Sequence, residues 1–222
     1  MSDRQPQING RHQGQPVRAH GEPLRQARAA MIMLHGRGGQ ARDILSLAPL
    51  LERPGFAYLA PEAGGHSWYP ASFLAPTAEN EPDLSSALAV VADLLDQVQE
   101  AGIPPRRTIL LGFSQGACLA LEFAARHPRL YGGVAGLAGG LIGTDEELRR
   151  HTGSLEGTPV FLGCSDVDPF IPKERVHATA VALRDLGADV TTRLYPGLDH
   201  IINQDELDFV RAMMAALTAQ PA

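Results

Sequence analysis

The chain has 222 residues, 44% of them apolar, and a formal net charge of −6 with a pI near 5.7. That apolar content is enough for one substantial core and too high for a disordered chain, while the acidic balance argues against a nucleic-acid binder. No apolar run approaches the roughly 20 residues of a membrane span, and the polar start "MSDRQPQINGRHQGQP" is not a secretory signal. Two cysteines, Cys118 and Cys164, are too few for a disulfide framework, so reduced thiols and a cytoplasmic location are expected.

Residues 1–16 are rich in Gln, Gly, Pro and Arg, carry no periodic apolar pattern, and read as a flexible arm ahead of a single domain over 17–222. "PVRAHGEPLRQA" suggests an N-terminal hairpin. Beyond it, "AAMIMLH" is strand-like, "ARDILSLAPLLE" helical and "FAYLAPE" strand-like again. "LSSALAVVADLLDQVQEAG" is a long amphipathic helix with Asp83 as its expected N-cap and Gly102 past its end. "TILLGF" is an apolar strand, and "GACLALEFAARHP" a helix stopped by Pro128. "YGGVAGLAG" and "TPVFLGCS" follow as short strands, then "KERVHATAVALRDLGA" as a helix, "VTTRLYP" as a strand and "QDELDFVRAMMAALTA" as a closing helix. Such alternation predicts an α/β fold with a mainly parallel sheet covered by helices on both faces.

The glycine-rich turn "MIMLHGRGGQA" admits two functions. Gly36, Gly38 and Ala41 match the spacing of a dinucleotide-binding turn, and Glu62, ending the next apolar run, stands where a ribose-binding acid would. A second motif decides against that. Gly112, Ser114 and Gly116 form G-x-S-x-G between a strand and a helix. A sharp turn there holds a nucleophilic serine clear of the sheet at a helix N-terminus, where negative charge is favoured. The alternative is a serine cap in a glycine-rich turn.

A nucleophilic serine needs a base, and the base an orienting acid, in the chain order Ser, Asp or Glu, His. "PVFLGCSDVDPFIP" supplies Asp166 and Asp168 past one strand, and "TTRLYPGLDHIIN" supplies His200 past another. Both loops lie at the carboxyl ends of their strands, where a parallel sheet binds ligands. The remaining histidines weighed, His12, His20, His66, His127, His151 and His177, lack that order or placement. No H-x-x-x-H or H-E-x-x-H spacing occurs, so no metal is expected. Cys118, on a buried helix face, reads as inert packing.

With "LHGRGG", "SWYP", "GFSQGA", "DPFIP" and "YPGLDH" in this order, the chain resembles the phospholipase/carboxylesterase family of α/β-hydrolases from about Ala29 to Ala216. The resemblance implies an α/β-hydrolase fold and a cofactor-free Ser-His-Asp enzyme that cleaves carboxylic esters or thioesters. It selects Asp168 as the acid over Asp166. It further implies that the backbone N–H groups of Arg37 and Gln115 form the oxyanion hole. "HGRGG" and "SWYP" depart from the "HGLGD" and "SWFD" usual in the acyl-protein thioesterase branch. They point to a bacterial carboxylesterase-like branch acting on small aromatic or anionic esters. Trp68, Tyr69 and Phe73, with Phe170 and Leu198 beside the triad loops, are the expected substrate-binding residues. The Arg37 side chain either meets an anionic group at the pocket mouth or faces solvent.

The expected partner is therefore a small-molecule ester, with no cofactor, no nucleic acid and a homodimer left open. Thioesterase or lysophospholipase activity is the alternative. A dinucleotide-dependent oxidoreductase and a non-catalytic hydrolase-fold receptor are the rivals from other classes. The first leaves the order of Ser114, Asp168 and His200 unexplained, and the second usually lacks a triad member.

Overall fold

In the computed structural model, residues 10–219 are described. Seven strands form one sheet: β1 (Val17–Gly21), β2 (Ala29–Leu34), β3 (Phe56–Pro61), β4 (Thr108–Phe113), β5 (Gly133–Leu137), β6 (Pro159–Ser165) and β7 (Asp189–Tyr195). Their spatial order is β1-β3-β2-β4-β5-β6-β7, with only β1 antiparallel to its neighbour. The helices are α1 (Ala41–Leu45), α2 (Asp83–Glu100), α3 (Gln115–Arg126), α4 (Asp145–Leu148), α5 (Lys173–Asp185) and α6 (Gln204–Ala219).

Every residue of β2 is buried, which is why it reads as an unbroken apolar run rather than an alternating one. Its two faces nonetheless feed different cores. Ala30, Ile32 and Leu34 pack with Leu110, Val134 and Leu162 under α2, α3 and α5. Met31 and Met33 pack with Ile109, Leu111, Ala135 and Phe161 under α1 and α6. Helix α3 is buried almost all round, from Gln115 to Ala125, so it lies inside the molecule rather than on it.

The order of the strands creates the site. From β2 the sheet grows one way through β3 and the other way through β4. The crevice at such a switch point, beyond the carboxyl ends of the two strands, is where an open α/β sheet takes its ligand. The "HGRGG" turn leaves β2 and the serine turn leaves β4, so the two are side by side. β6 and β7 deliver Asp168 and His200 to the same edge.

Several local expectations change. The N-terminal hairpin does not form. β1 instead pairs with β3, Val17 opposite Pro61 and Gly21 opposite Ala57. "ARDILSLAPLLE" gives only the five-residue α1 followed by a 3-10 turn over Ala48–Leu51, because Pro49 cannot donate within a continuous helix. Asp83 is the first residue of α2 rather than its N-cap, a position taken by Pro82. Helix α4 went unforeseen although Thr144 and Glu147 make a capping box around its start.

Residues 10–16, assigned to the arm, are held against the body of the fold. Residues 1–9 lie outside the described part. His12 is 1% exposed, accepts from Gly64 N at 2.9 Å and donates to Trp68 O at 2.9 Å. Its backbone N–H reaches Ser86 Oγ at 3.1 Å. One buried imidazole with specific partners anchors a segment that has no apolar periodicity to announce it.

Candidate active site

The turn between β4 and α3 places Ser114 at φ 55°, ψ −120°. This left-handed conformation is rare for a residue with a Cβ and holds the side chain above the strand. The turn closes only because two neighbours lack side chains. A Cβ on Gly112 would meet Gly116 O at 2.1 Å, and one on Gly116 would meet Leu34 O at 2.1 Å. Ser114 N donates to Leu137 O at 2.9 Å, tying the turn to the neighbouring strand.

Ser114 Oγ lies 2.9 Å from His200 Nε2, and His200 Nδ1 lies 2.6 Å from Asp168 Oδ2. The other oxygen of Asp168 accepts from Phe170 N at 2.9 Å and Ile171 N at 3.0 Å. The Asp168 side chain is fully buried and that of His200 is 15% exposed. Burial alone would push the Asp168 carboxyl up. The His200 bond and the two backbone N–H groups outweigh it and hold the group below its ordinary value. The imidazole is wedged between Phe113 and Phe170, with ring centroids 4.9 and 5.0 Å away.

Asp166 is not part of this chain of contacts. Its Oδ1 accepts from Gly197 N at 2.8 Å, which ties the loop carrying the acid to the loop carrying His200. Asp199 is exposed. His66 lies 3.2 Å from Glu62, His127 packs on Phe123, and His151 lies 3.8 Å from Glu122.

A cavity of about 460 Å³ opens at Ser114, walled by Tyr69, Phe73, Phe113, Cys118, Phe170 and Ile171. Its size suits a small organic molecule. Of the five residues expected to bind substrate, Tyr69, Phe73 and Phe170 line it. Trp68 does not. It is fully buried behind the wall, its Nε1 donating to His35 O at 2.9 Å and its ring packed on His35 at 4.9 Å. A buried indole needs an acceptor for its N–H, and here that acceptor is backbone deep in the fold. Leu198 is half-buried in the turn before His200 and is not on the cavity wall. Cys118 lines the cavity, but burial pushes its thiol up to about 11, in keeping with an inert side chain.

Arg37 is exposed and lies on the lining of the cavity, and its side chain is also engaged with backbone there. Its guanidinium donates to the carbonyls of Tyr69, Pro70 and Ala71 at 2.9, 2.9 and 2.8 Å and lies 5.9 Å over the Tyr69 ring. It clamps the loop that walls the cavity. Gln115 grips the same loop from the other side: Oε1 accepts from Trp68 N at 2.9 Å and Nε2 donates to Tyr69 O at 2.8 Å. As the first residue of α3, Gln115 also has a backbone N–H without an acceptor inside the helix.

The nucleotide-like spacing has a different meaning as well. Glu62 does not face a ribose; its Oε2 accepts from Ala41 N at 2.9 Å, so the chain's own carboxylate caps α1 where a phosphate would have to sit. Phe113 and His35 went unrecognised. Phe113 is a variable position of G-x-S-x-G with nothing in its spacing to mark it. His35 stands directly before Gly36 in a motif whose glycines drew the attention.

Residues 19–218 match the family described as Phospholipase/Carboxylesterase. Acyl-protein thioesterase 1 of Gibberella zeae is 35% identical over 124 residues, which is 55% of this chain and 53% of the relative, so the match spans about half the length of that protein. A probable carboxylesterase, SOBER1-like, of Arabidopsis thaliana is 27% identical over 205 residues, 85% of this chain and 78% of the relative. Among solved structures, a phospholipase/carboxylesterase from Dyadobacter fermentans superposes with a TM-score of 0.87 at 40% identity, covering 91% of this chain and 97% of that one. By sequence and by fold, the chain belongs to the phospholipase/carboxylesterase family of α/β-hydrolases.

Proposed function

We propose that this protein is a serine carboxylesterase acting on small carboxylic esters through an acyl-enzyme. The observation that carries the proposal is the continuous contact Ser114 Oγ–His200 Nε2–His200 Nδ1–Asp168 at 2.9 and 2.6 Å. Ser114 attacks the ester carbonyl while His200 takes its proton. The N–H groups of Arg37 and Gln115 hold the oxyanion, and His200 then returns the proton to the departing alcohol. Water repeats the sequence and releases the acid. Asp168 keeps the proton on Nδ1 and stabilises the imidazolium throughout. Each oxyanion donor of this kind typically contributes ~2.7–4 kcal/mol to the transition state.

The apolar cavity and the aromatic rings around Ser114 support a small, largely apolar ester as substrate. The same arrangement can cleave a thioester, and the resemblance to a protein named acyl-protein thioesterase makes that the second reading. Both thiols of the chain are buried and unpaired, which suits work in the reducing cytosol. Hydrolysis of p-nitrophenyl esters and matched thioesters of graded acyl length tests the proposal. Wild type should turn over the short esters and Ser114→Ala should lose at least 10³-fold, on the order of what loss of a triad member removes. Undiminished hydrolysis by Ser114→Ala would overturn it.

A further inference from the structure

We propose that His35 is a positioning residue that aims the Arg37 N–H at the reacting carbonyl oxygen. The proposal rests on the reading of Arg37 N–H as an oxyanion donor. Gly36 and Arg37 share one peptide unit. A trans peptide is planar, with its C=O and N–H pointing in opposite directions. Whatever holds Gly36 O therefore also sets the direction of Arg37 N–H. His35 Nδ1 lies 2.8 Å from Gly36 O.

The imidazole's other nitrogen settles which way that bond runs. His35 Nε2 lies 3.1 Å from Ala63 N. A backbone N–H can only donate, so Nε2 accepts and the ring proton sits on Nδ1. Nδ1–H then donates to Gly36 O. The imidazole is 1% exposed, and burial keeps it in the neutral form that this pattern requires. The turn offers little rigidity of its own, with Gly36, Gly38 and Gly39 flanking Arg37 and Gly38 at φ 78°. Gly39 N adds a second bond to Gly36 O at 3.1 Å.

His35 is in turn held from behind. Trp68 Nε1 donates to its carbonyl at 2.9 Å while the indole packs on its ring, and Trp68 N reaches Gln115 Oε1. The His35 carbonyl and the Gln115 side chain, each beside one of the proposed donors, are thus bonded to one buried residue, Trp68. This gives the fully buried tryptophan a task away from the pocket wall.

Two polar variants separate aiming from packing. In His35→Asn the amide nitrogen falls near the Nδ1 position and can still donate to Gly36 O. In His35→Gln the amide falls near Nε2, serves Ala63 N and leaves Gly36 O with the weaker Gly39 N–H bond alone. Active sites are counted with a fluorophosphonate, turnover is measured with p-nitrophenyl acetate, and a trifluoromethyl ketone reports affinity for a tetrahedral oxyanion. His35→Gln should lose roughly 10–100-fold in kcat per titrated site, part of the effect of removing a whole donor, with KM within about threefold. The ketone should weaken by the same factor. His35→Asn should keep most of both. Equal turnover per site in the two variants, or a loss confined to the titratable fraction or to KM, overturns the proposal. Failure of the fluorophosphonate to label wild type would instead remove the esterase reading on which it rests.

Discussion

Replacing Ser114 by glycine should give a more stable protein than replacing it by alanine. Both substitutions delete the hydroxyl and its 2.9 Å contact with His200, so the difference between them isolates the backbone. At φ 55°, ψ −120° a residue with a Cβ is strained by on the order of 1–3 kcal/mol, a load that alanine retains and glycine sheds. Against this, glycine loses about 0.5–1 kcal/mol more conformational entropy on folding than alanine does. The balance favours Ser114→Gly by about 1 kcal/mol, or roughly 2–4 °C in Tm for a chain of this size. Urea unfolding of the two inactive variants, fitted with a common m-value, measures it directly. An alanine variant as stable as the glycine variant, or more so, would mean that the strain at Ser114 is no larger than the roughly 0.5–1 kcal/mol of chain entropy that glycine costs.

Arg37→Met should lower stability by about 1–3 kcal/mol through loss of the bonds to Tyr69, Pro70 and Ala71. It should leave unchanged the ratio of kcat/KM for a neutral ester to that for one carrying an acyl carboxylate. A tenfold or larger shift in that ratio would show the guanidinium meeting substrate instead of the loop. Glu206 gives a pH test. Burial, the largest influence, raises its carboxyl from 4.5 to about 7. A group whose folded value is raised supports the fold below its unfolded value and loses that support as pH climbs through the folded one. Glu206 should therefore cost stability progressively between about pH 4.5 and 7, by about 3 kcal/mol at most. The stability of Glu206→Gln minus that of wild type should rise across this window, and a flat difference between pH 5 and 8 in urea titrations would refute the assignment. The imidazoles of buried His12 and His35 and half-buried His127, all lowered chiefly by desolvation, slope the opposite way and cancel in that difference.

What the sequence revealed and what it hid divide along physical lines. Strands β4 and β6 were legible because residues buried on both faces leave continuous apolar runs, and α6 because its apolar stripe recurs every three or four residues. Ser114 and Asp168 stood out because each follows such a strand, and His200 because it follows β7, a strand with no fully buried residue. The N-terminal segment was misjudged, since β1 is exposed along its whole length and His12 holds its place by hydrogen bonds rather than by pattern. Trp68 was assigned to substrate, and the Arg37 side chain weighed for it, because a large ring and a cation near a pocket invite it. Their partners are backbone carbonyls distant in sequence, which no local pattern encodes. His35 escaped for another reason: its partner Gly36 is the next residue, but the role proposed for it depends on the direction of a peptide plane, which no spacing encodes.

The adjacency of β2 and β4 works as a ruler for the proposed chemistry. Arg37 and Gln115 each lie a few residues beyond the end of one of these strands, so the gap between their N–H groups is referred to the spacing of hydrogen-bonded neighbours, about 4.8 Å and common to all sheets. The ladder maintains that distance whatever surrounds it. The cavity walls at 69–73 and 170–171 belong to loops outside that ladder, and Arg37 and Gln115 hold the first of them by its backbone carbonyls rather than its side chains. Substrate preference can therefore be rewritten in those loops while the gauge for the developing charge stays untouched.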